Sequence, residues 1–295
     1  MLADYAQQYP QVTATFAEAS EVLGYDLWDL CQNGTQEDIN LTERTQPLML
    51  TSSVALWRVW QARGGMSPGW MAGHSLGEWS ALVCAGVVDF KAAVSLVRHR
   101  GAYMQEAVPV GQGAMAAIIG LDDAAIAAAC DASAQGEVVA AVNFNAPGQV
   151  VIAGTTGAVE RAIAACKEAG AKRALPLPVS APFHTALMKP AADRLAEQIR
   201  ATEFRAPEVP VIHNVHARPE ADPAAIQELM IEQIYKPVLW VGCVTELHQR
   251  GVSLAIECGP GKVLTGLAKR IVKALDAQSI EEPTGLEAAL ETISG

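Results

Sequence analysis

The sequence predicts an α/β fold in which a parallel sheet covered by helices carries an inserted ferredoxin-like unit. Three observations predict it. Segments that read as strands alternate with segments that read as helices on both sides of a central block. The central block itself reads β-α-β-β-α-β. A Gly-His-Ser-Leu-Gly run at 73–77 lies between a short apolar strand and a helix.

The chain of 295 residues opens in helix from Leu2 to Leu23, with Gly24 as its stop. A second helix is expected from Thr45-Gln46-Pro47 to Ala62, with proline in its first turn, and Gly64-Gly65 break it. Trp70 to His74 is apolar, short and preceded by Pro68-Gly69, so a buried strand belongs there. Leu76 to Cys84 reads as helix, and Asp89 caps another that runs through Met104.

The pattern changes near Gly113. Ala114 to Leu121 is a strand, and Asp122-Asp123 open an alanine-rich helix. Strands Val138–Phe144 and Gln149–Ala153 flank the turn residues Asn145-Ala146-Pro147-Gly148. A helix over Ala158–Ala169 and a strand over Arg173–Val179 complete the unit. Beyond it, helix Ala186–Thr202, strand Val209–Val215, helix Pro223–Ile234, helix Val241–Arg250 and strand Ser253–Glu257 follow. Gly259-Pro260-Gly261 then turn the chain into a helix from Lys262, and the tail after Gln278 is expected to be loosely held. The expected division is 1–110 with 187–295 as the large catalytic subdomain, and 111–186 as the small ferredoxin-like one.

Composition narrows the function. Apolar residues at 51% and charged residues at 18% fit a folded enzyme and exclude disorder. A formal charge of −11 argues against nucleic acid, whose phosphates need a basic face. The six cysteines form no C-x-x-C pair and read as buried apolar residues in a reducing compartment. No apolar run is long enough to span a bilayer, and Met1-Leu2-Ala3-Asp4 lacks a signal-peptide start, so no membrane association and a cytoplasmic location are expected.

G-x-S-x-G at a strand-to-helix junction is a nucleophile elbow, which lifts the Ser75 hydroxyl above the sheet. The N–H of Leu76, at the helix N-terminus, then faces a developing oxyanion. The serine needs a base. His74 points away from Ser75 by strand alternation and reads as structural. His99 and His248 lie in polar helical stretches and read as surface residues, while His213 and His216, flanking Asn214, leave their role open. His184 follows Pro178-Val179-Ser180-Ala181-Pro182-Phe183, a rigid exit from the last small-unit strand, and is the strongest candidate.

Taken together, GHSLGE at 73–78, the arginine of His99-Arg100-Gly101, AMAAIIGL at 114–121, PVSAPFHTALM at 178–188 and ECGPGKVLTGL at 257–267 resemble the malonyl-CoA:acyl carrier protein transacylases. The resemblance runs from Leu2 to beyond Arg270 and implies an α/β-hydrolase-like large subdomain with a ferredoxin-like small one. It implies Ser75 as the acylated nucleophile, His184 as the general base, and Arg100 as the partner of the malonyl carboxylate, a role that suits a guanidinium fork. It places Gln233 where a backbone carbonyl orients the histidine. Malonyl-CoA and acyl carrier protein are the implied substrates, and no metal or other cofactor is implied. A monomer is expected.

In this family an apolar strand and a Pro-Gly-Gln-Gly-Ser-Gln-type loop ordinarily precede the opening helix, and neither aligns with this sequence. That loop supplies a second oxyanion donor, so the chain as written is expected to be poorly active, by about 10²–10³ in rate. Three other readings stand beside the transferase. They are a general α/β serine hydrolase, the acyltransferase module of a polyketide assembly line, and an impaired form that still binds carrier protein. Lys172-Arg173, Lys189 and Lys269-Arg270 are the candidate basic contacts for an acidic carrier.

Overall fold

A computed structural model describes residues 1–179 and 181–294; Ser180 and Gly295 lie outside the described residues. The chain begins with α1 (Ala3–Gln8) and α2 (Pro10–Leu23), where one helix was expected. Pro10 explains the break: it disfavours helical backbone at the preceding residue, and Tyr9 is extended with φ −131° and ψ 106°. Gly24 ends α2 in the left-handed region at φ 75°, as expected of a helix stop. Two short helices not foreseen in the sequence follow, α3 (Leu27–Asn33) and α4 (Gln36–Asn40), capped by the side chains of Asp26 and Thr35. Helix α5 (Thr42–Ala62) starts earlier than expected and carries Pro47 inside it.

Strand β1 (Met71–Ala72) leads into α6 (Leu76–Cys84), and Asp89 accepts from the Ala92 N–H to cap α7 (Phe90–Glu106). The central block is β2 (Gly113–Ile119), α8 (Asp123–Ala134), β3 (Val139–Ala146), β4 (Gln149–Thr155), α9 (Thr156–Glu168) and β5 (Arg173–Pro176). Its strands pair antiparallel in the order β3-β4-β2-β5, with Ala116 opposite both Ile152 and Pro176. This is the expected ferredoxin-like arrangement. Helices α8 and α9 supply Ile126, Val159 and Cys166 to a core that Ile118, Val150 and Ile152 complete from the sheet. Edge strand β3 ties this sheet to the rest: Phe144 N–H donates to Val238 O at 3.0 Å, and Val238 N–H to Val142 O at 2.8 Å.

A 3₁₀ turn over Ala186–Met188 opens α10 (Lys189–Ala201), followed by β6 (Val211–Ile212), α11 (Pro223–Glu232) and α12 (Trp240–Gln249). The chain ends with β7 (Leu254–Glu257), α13 (Val263–Ile271), β8 (Asp276–Ser279) and α14 (Pro283–Ser294). The parallel strands are shorter than expected and form two pairs, β1 with β6 and β7 with β8. Residues of both β1 and β7 line a cavity of about 1260 Å³ that also takes in Ser75, His184 and Arg100.

The tail is not loose. Leu286 and Ala289 of α14 are fully buried in the main core, and Leu290 and Ile293 pack against it, an apolar stripe at helical spacing. The Tyr5 hydroxyl fastens the same region by donating to Ile280 O at 2.8 Å and Glu282 O at 3.0 Å. Among the described residues no helix is long and apolar enough to cross a membrane.

Candidate active site

Ser75 sits between β1 and α6 with φ 51° and ψ −107°, a conformation that L-residues adopt only where the surroundings enforce it. The neighbouring glycines contribute unequally. A Cβ on Gly73 would lie 1.9 Å from the Gly77 carbonyl oxygen, so only glycine fits there. A Cβ on Gly77 would meet nothing within 4 Å. Leu76 is the first residue of α6, where backbone N–H groups have no partner inside the helix and the dipole favours negative charge.

His184 enters from the loop after β5 and also holds positive φ, 63°. Its Nε2 lies 2.8 Å from Ser75 Oγ, and its Nδ1 lies 2.8 Å from the Gln233 carbonyl oxygen. A carbonyl can only accept, so Nδ1 carries the proton and Nε2 is left free to accept from the serine hydroxyl. Burial, reinforced by the Arg100 charge, pushes the His184 pKa down to about 3 against the pull of the Gln233 carbonyl. The ring is therefore neutral at neutral pH, the state a base requires.

Arg100 is 2% exposed on the inner face of α7. Its Nη2 donates to Ser75 Oγ at 3.2 Å and to Gln233 Oε1 at 2.9 Å, and its Nη1 donates to Gln46 Oε1 at 2.8 Å. Burial lowers its pKa to about 10, which leaves the guanidinium charged at neutral pH, and the charge of Glu78 works the other way. The structure thus brings Ser75, Leu76, His184, Arg100 and Gln233 together.

Sequence reasoning missed part of the site. Glu78, Gln46, His213 and Asn214 are buried polar residues beneath or beside Ser75. Asn214 Oδ1 accepts from the Ser75 N–H at 2.8 Å, and its Nδ2 donates to Gly73 O at 2.8 Å. The signal was present for Glu78, one helical turn after the nucleophile, and for the His213-Asn214 pair at a strand end. His74 turns away from Ser75, as alternation predicts, and its Nε2 lies 2.7 Å from Asn145 Oδ1. His248 is exposed as expected, but His99 is half-buried and stacks on Tyr103 with ring centroids 5.7 Å apart. The cysteines are all free; Cys84 and Cys258 are half-buried and the other four buried. Burial pushes the Cys130 and Cys258 thiols up to about 12, so neither is an activated thiolate at neutral pH. No cluster able to hold a metal ion occurs among the described residues.

Residues 6–284 match the family model described as an acyl transferase domain. The malonyl CoA-acyl carrier protein transacylases of Salmonella typhimurium and Escherichia coli K12 are each 62% identical to this chain, over 290 and 291 residues. Those matches cover 98% and 99% of this chain and 94% of each relative. The chain belongs to the malonyl CoA-acyl carrier protein transacylase family. Among solved structures, an acyl carrier protein S-malonyltransferase from Vibrio cholerae superposes with a TM-score of 0.96 at 62% identity, over 98% of this chain and 94% of that one. A malonyl-transacylase solved in complex with its type II PKS acyl-carrier protein gives a TM-score of 0.98 at 57% identity, over 99% and 94%. As a transacylase of this family the chain is an acyltransferase with the two-part α/β fold of those structures, and the absence of a carboxylate at His184 Nδ1 distinguishes it from a Ser-His-acid hydrolase.

Proposed function

We propose that this chain transfers a malonyl group from malonyl-CoA to the phosphopantetheine thiol of acyl carrier protein through a malonyl-Ser75 ester, loading fatty acid synthesis. The single observation that carries the reading is a buried guanidinium within hydrogen-bond reach of a serine that already faces a neutral histidine. His184 Nε2 takes the Ser75 proton as Oγ attacks the thioester carbonyl, and the N–H of Leu76 supports the oxyanion. Collapse expels the coenzyme A thiolate, which receives the proton from His184. In the second half the carrier thiol gives its proton to His184, attacks the ester, and Ser75 recovers its hydroxyl.

Arg100 pairs with the malonyl carboxylate in both halves. An acetyl group leaves that buried charge unmatched, which supports selection against it. Malonyl-CoA and the carrier are the substrates, and the chemistry needs no cofactor beyond them. Cytoplasmic synthesis is the setting in this reading. The separate core around Ile118 and Ile152 supports a division into 111–186 as the small subdomain and 1–110 with 187–295 as the large one.

Incubation with malonyl-CoA followed by peptide mass spectrometry should find a malonyl adduct on the peptide holding Ser75, discharged by carrier thiol far faster than by water. Discharge to water at the same rate would instead identify a hydrolase. Arg100→Ala should lose malonyl transfer and gain acetyl transfer relative to it, and equal losses for both acyl groups would remove Arg100 from its role.

A further inference from the structure

We propose that Glu78 is a positioning residue for acyl transfer, which sets malonyl selectivity by fixing the Gln233 amide that in turn fixes Arg100. The inference rests on the transfer reading above and concerns a side chain that touches no substrate.

Glu78 lies in the first turn of α6, three residues beyond Ser75, and is fully buried. A buried carboxylate is tolerated only when donors surround it. Three do: His213 Nδ1 at 2.7 Å on Oε1, and Gln233 Nε2 at 2.7 Å with Asn214 N–H at 3.2 Å on Oε2. It is not the acid of a triad, because the histidine it meets is His213 and His184 faces a carbonyl.

The Gln233 amide stands between two groups of opposite character. Arg100 can only donate, and it meets Oε1; the carboxylate can only accept, and it meets Nε2. The amide is thereby held in one of its two orientations. Its Nε2 also donates to the Ser75 carbonyl at 2.9 Å, while the backbone carbonyl of Gln233 holds His184. Asn214, anchored to Glu78 through its N–H, holds the other peptide group of Ser75. Ser75, His184 and Arg100 are each one residue removed from the same carboxylate. A helix-capping acid would account for none of this, since Glu78 spends its oxygens on distant loops and not on its own first turn.

The test uses the full chain as wild type, Glu78→Gln, Gln233→Met and the double variant, each with malonyl-CoA and acetyl-CoA. A glutamine at 78 can still accept from Asn214 and Gln233 on one oxygen, but as a neutral amide it holds the Gln233 amide more weakly than the carboxylate does. Its NH₂ would face His213, whose buried Nε2 has no hydrogen-bond partner among the described residues and can take the ring proton instead. Glu78→Gln should lower kcat/KM for malonyl by about 10- to 100-fold, the scale of a hydrogen bond to a charged group, and for acetyl by less than about 5-fold. Gln233→Met should do the same, and the double variant should be no worse than the poorer single. Equal losses for both acyl groups, unchanged selectivity, or losses that multiply in the double variant would each overturn the proposal. Should Glu78→Gln not fold, Glu78→Asp, which keeps the charge but falls one methylene short of Gln233, takes its place with the same outcomes. Labelling of Ser75 by a fluorophosphonate separates the two readings. Wild type that is labelled but takes no malonyl refutes the transfer reading and Glu78's role with it. Malonylated wild type with variants of unaltered selectivity refutes only the role of Glu78.

Discussion

At His184 burial and base strength pull against each other. A ring held at a pKa of about 3 is always ready to accept a proton but accepts it weakly, and in the proposed transfer the thioester is attacked while that proton is in transit. The same residue gives the fold an acid liability. Between its ordinary value of 6.5 and the folded value of about 3, the unfolded chain binds a proton that the native chain does not. Stability therefore rises with pH through this window and is lost as pH falls through it. His184→Gln should flatten that dependence in urea unfolding followed from pH 7 to 4, and a slope identical to wild type would show that the histidine is not the group responsible. In wild type the acid limb of kcat/KM for malonyl-CoA should fall below pH 6. Ser75 and His184, which the structure places side by side, were candidates in the sequence because an elbow and a rigid Pro-flanked exit are local features, the base role of His184 resting on the family resemblance. Gln46 was not, since it reaches the site only through packing of distant segments.

Among the elements, the turn at Ser75 separates the two glycines of its motif. Gly73→Ala places a methyl group against the Gly77 carbonyl and should abolish Ser75 labelling together with much of the stability. Gly77→Ala meets open space inside a helix and should raise stability by up to about 1 kcal/mol, since alanine is the better helix former. Thermal melts of the two variants check both signs, and a destabilised Gly77→Ala would show that the elbow needs both. The small sheet was legible to within a few residues because its hairpin and helices are neighbours in sequence. The parallel strands were overdrawn: Val209–Val215 is apolar enough for a strand, yet only Val211–Ile212 of it pairs with another strand among the described residues. Periodicity reports burial and says nothing of where pairing stops. Helices α3 and α4 escaped notice because five to seven residues give too little periodicity, although Asp26 and Thr35 were there as caps. The tail was misjudged for a different reason, since its apolar stripe follows a polar Glu281-Glu282-Pro283 stretch that reads as an ending.

For the whole molecule, an acidic chain must meet its carrier through a local basic surface. Lys172, Arg173, Lys189, Lys269 and Arg270 are all exposed. They are not equally free: Lys189 lies over the Tyr235 ring, and Arg270 donates to Gln149. Lys172→Glu with Arg173→Glu should raise KM for carrier protein, more steeply at low salt, while leaving Ser75 malonylation from malonyl-CoA unchanged. An unaltered carrier KM would place the docking surface elsewhere.

The bond from Tyr5 to the carbonyls of Ile280 and Glu282 spans 275 and 277 residues. A chain that emerges from the ribosome amino-terminus first holds α1 ready long before its partner exists. The α1 segment can pack on α2 early, but the Tyr5 hydroxyl bonds close only once the chain has reached Ile280 and Glu282. Such long-range closure slows folding, because the entropy of the loop is lost before the contact rewards it. The Tyr5 hydroxyl thus latches the segment leading into α14 onto the core, a contact among the last the chain can close.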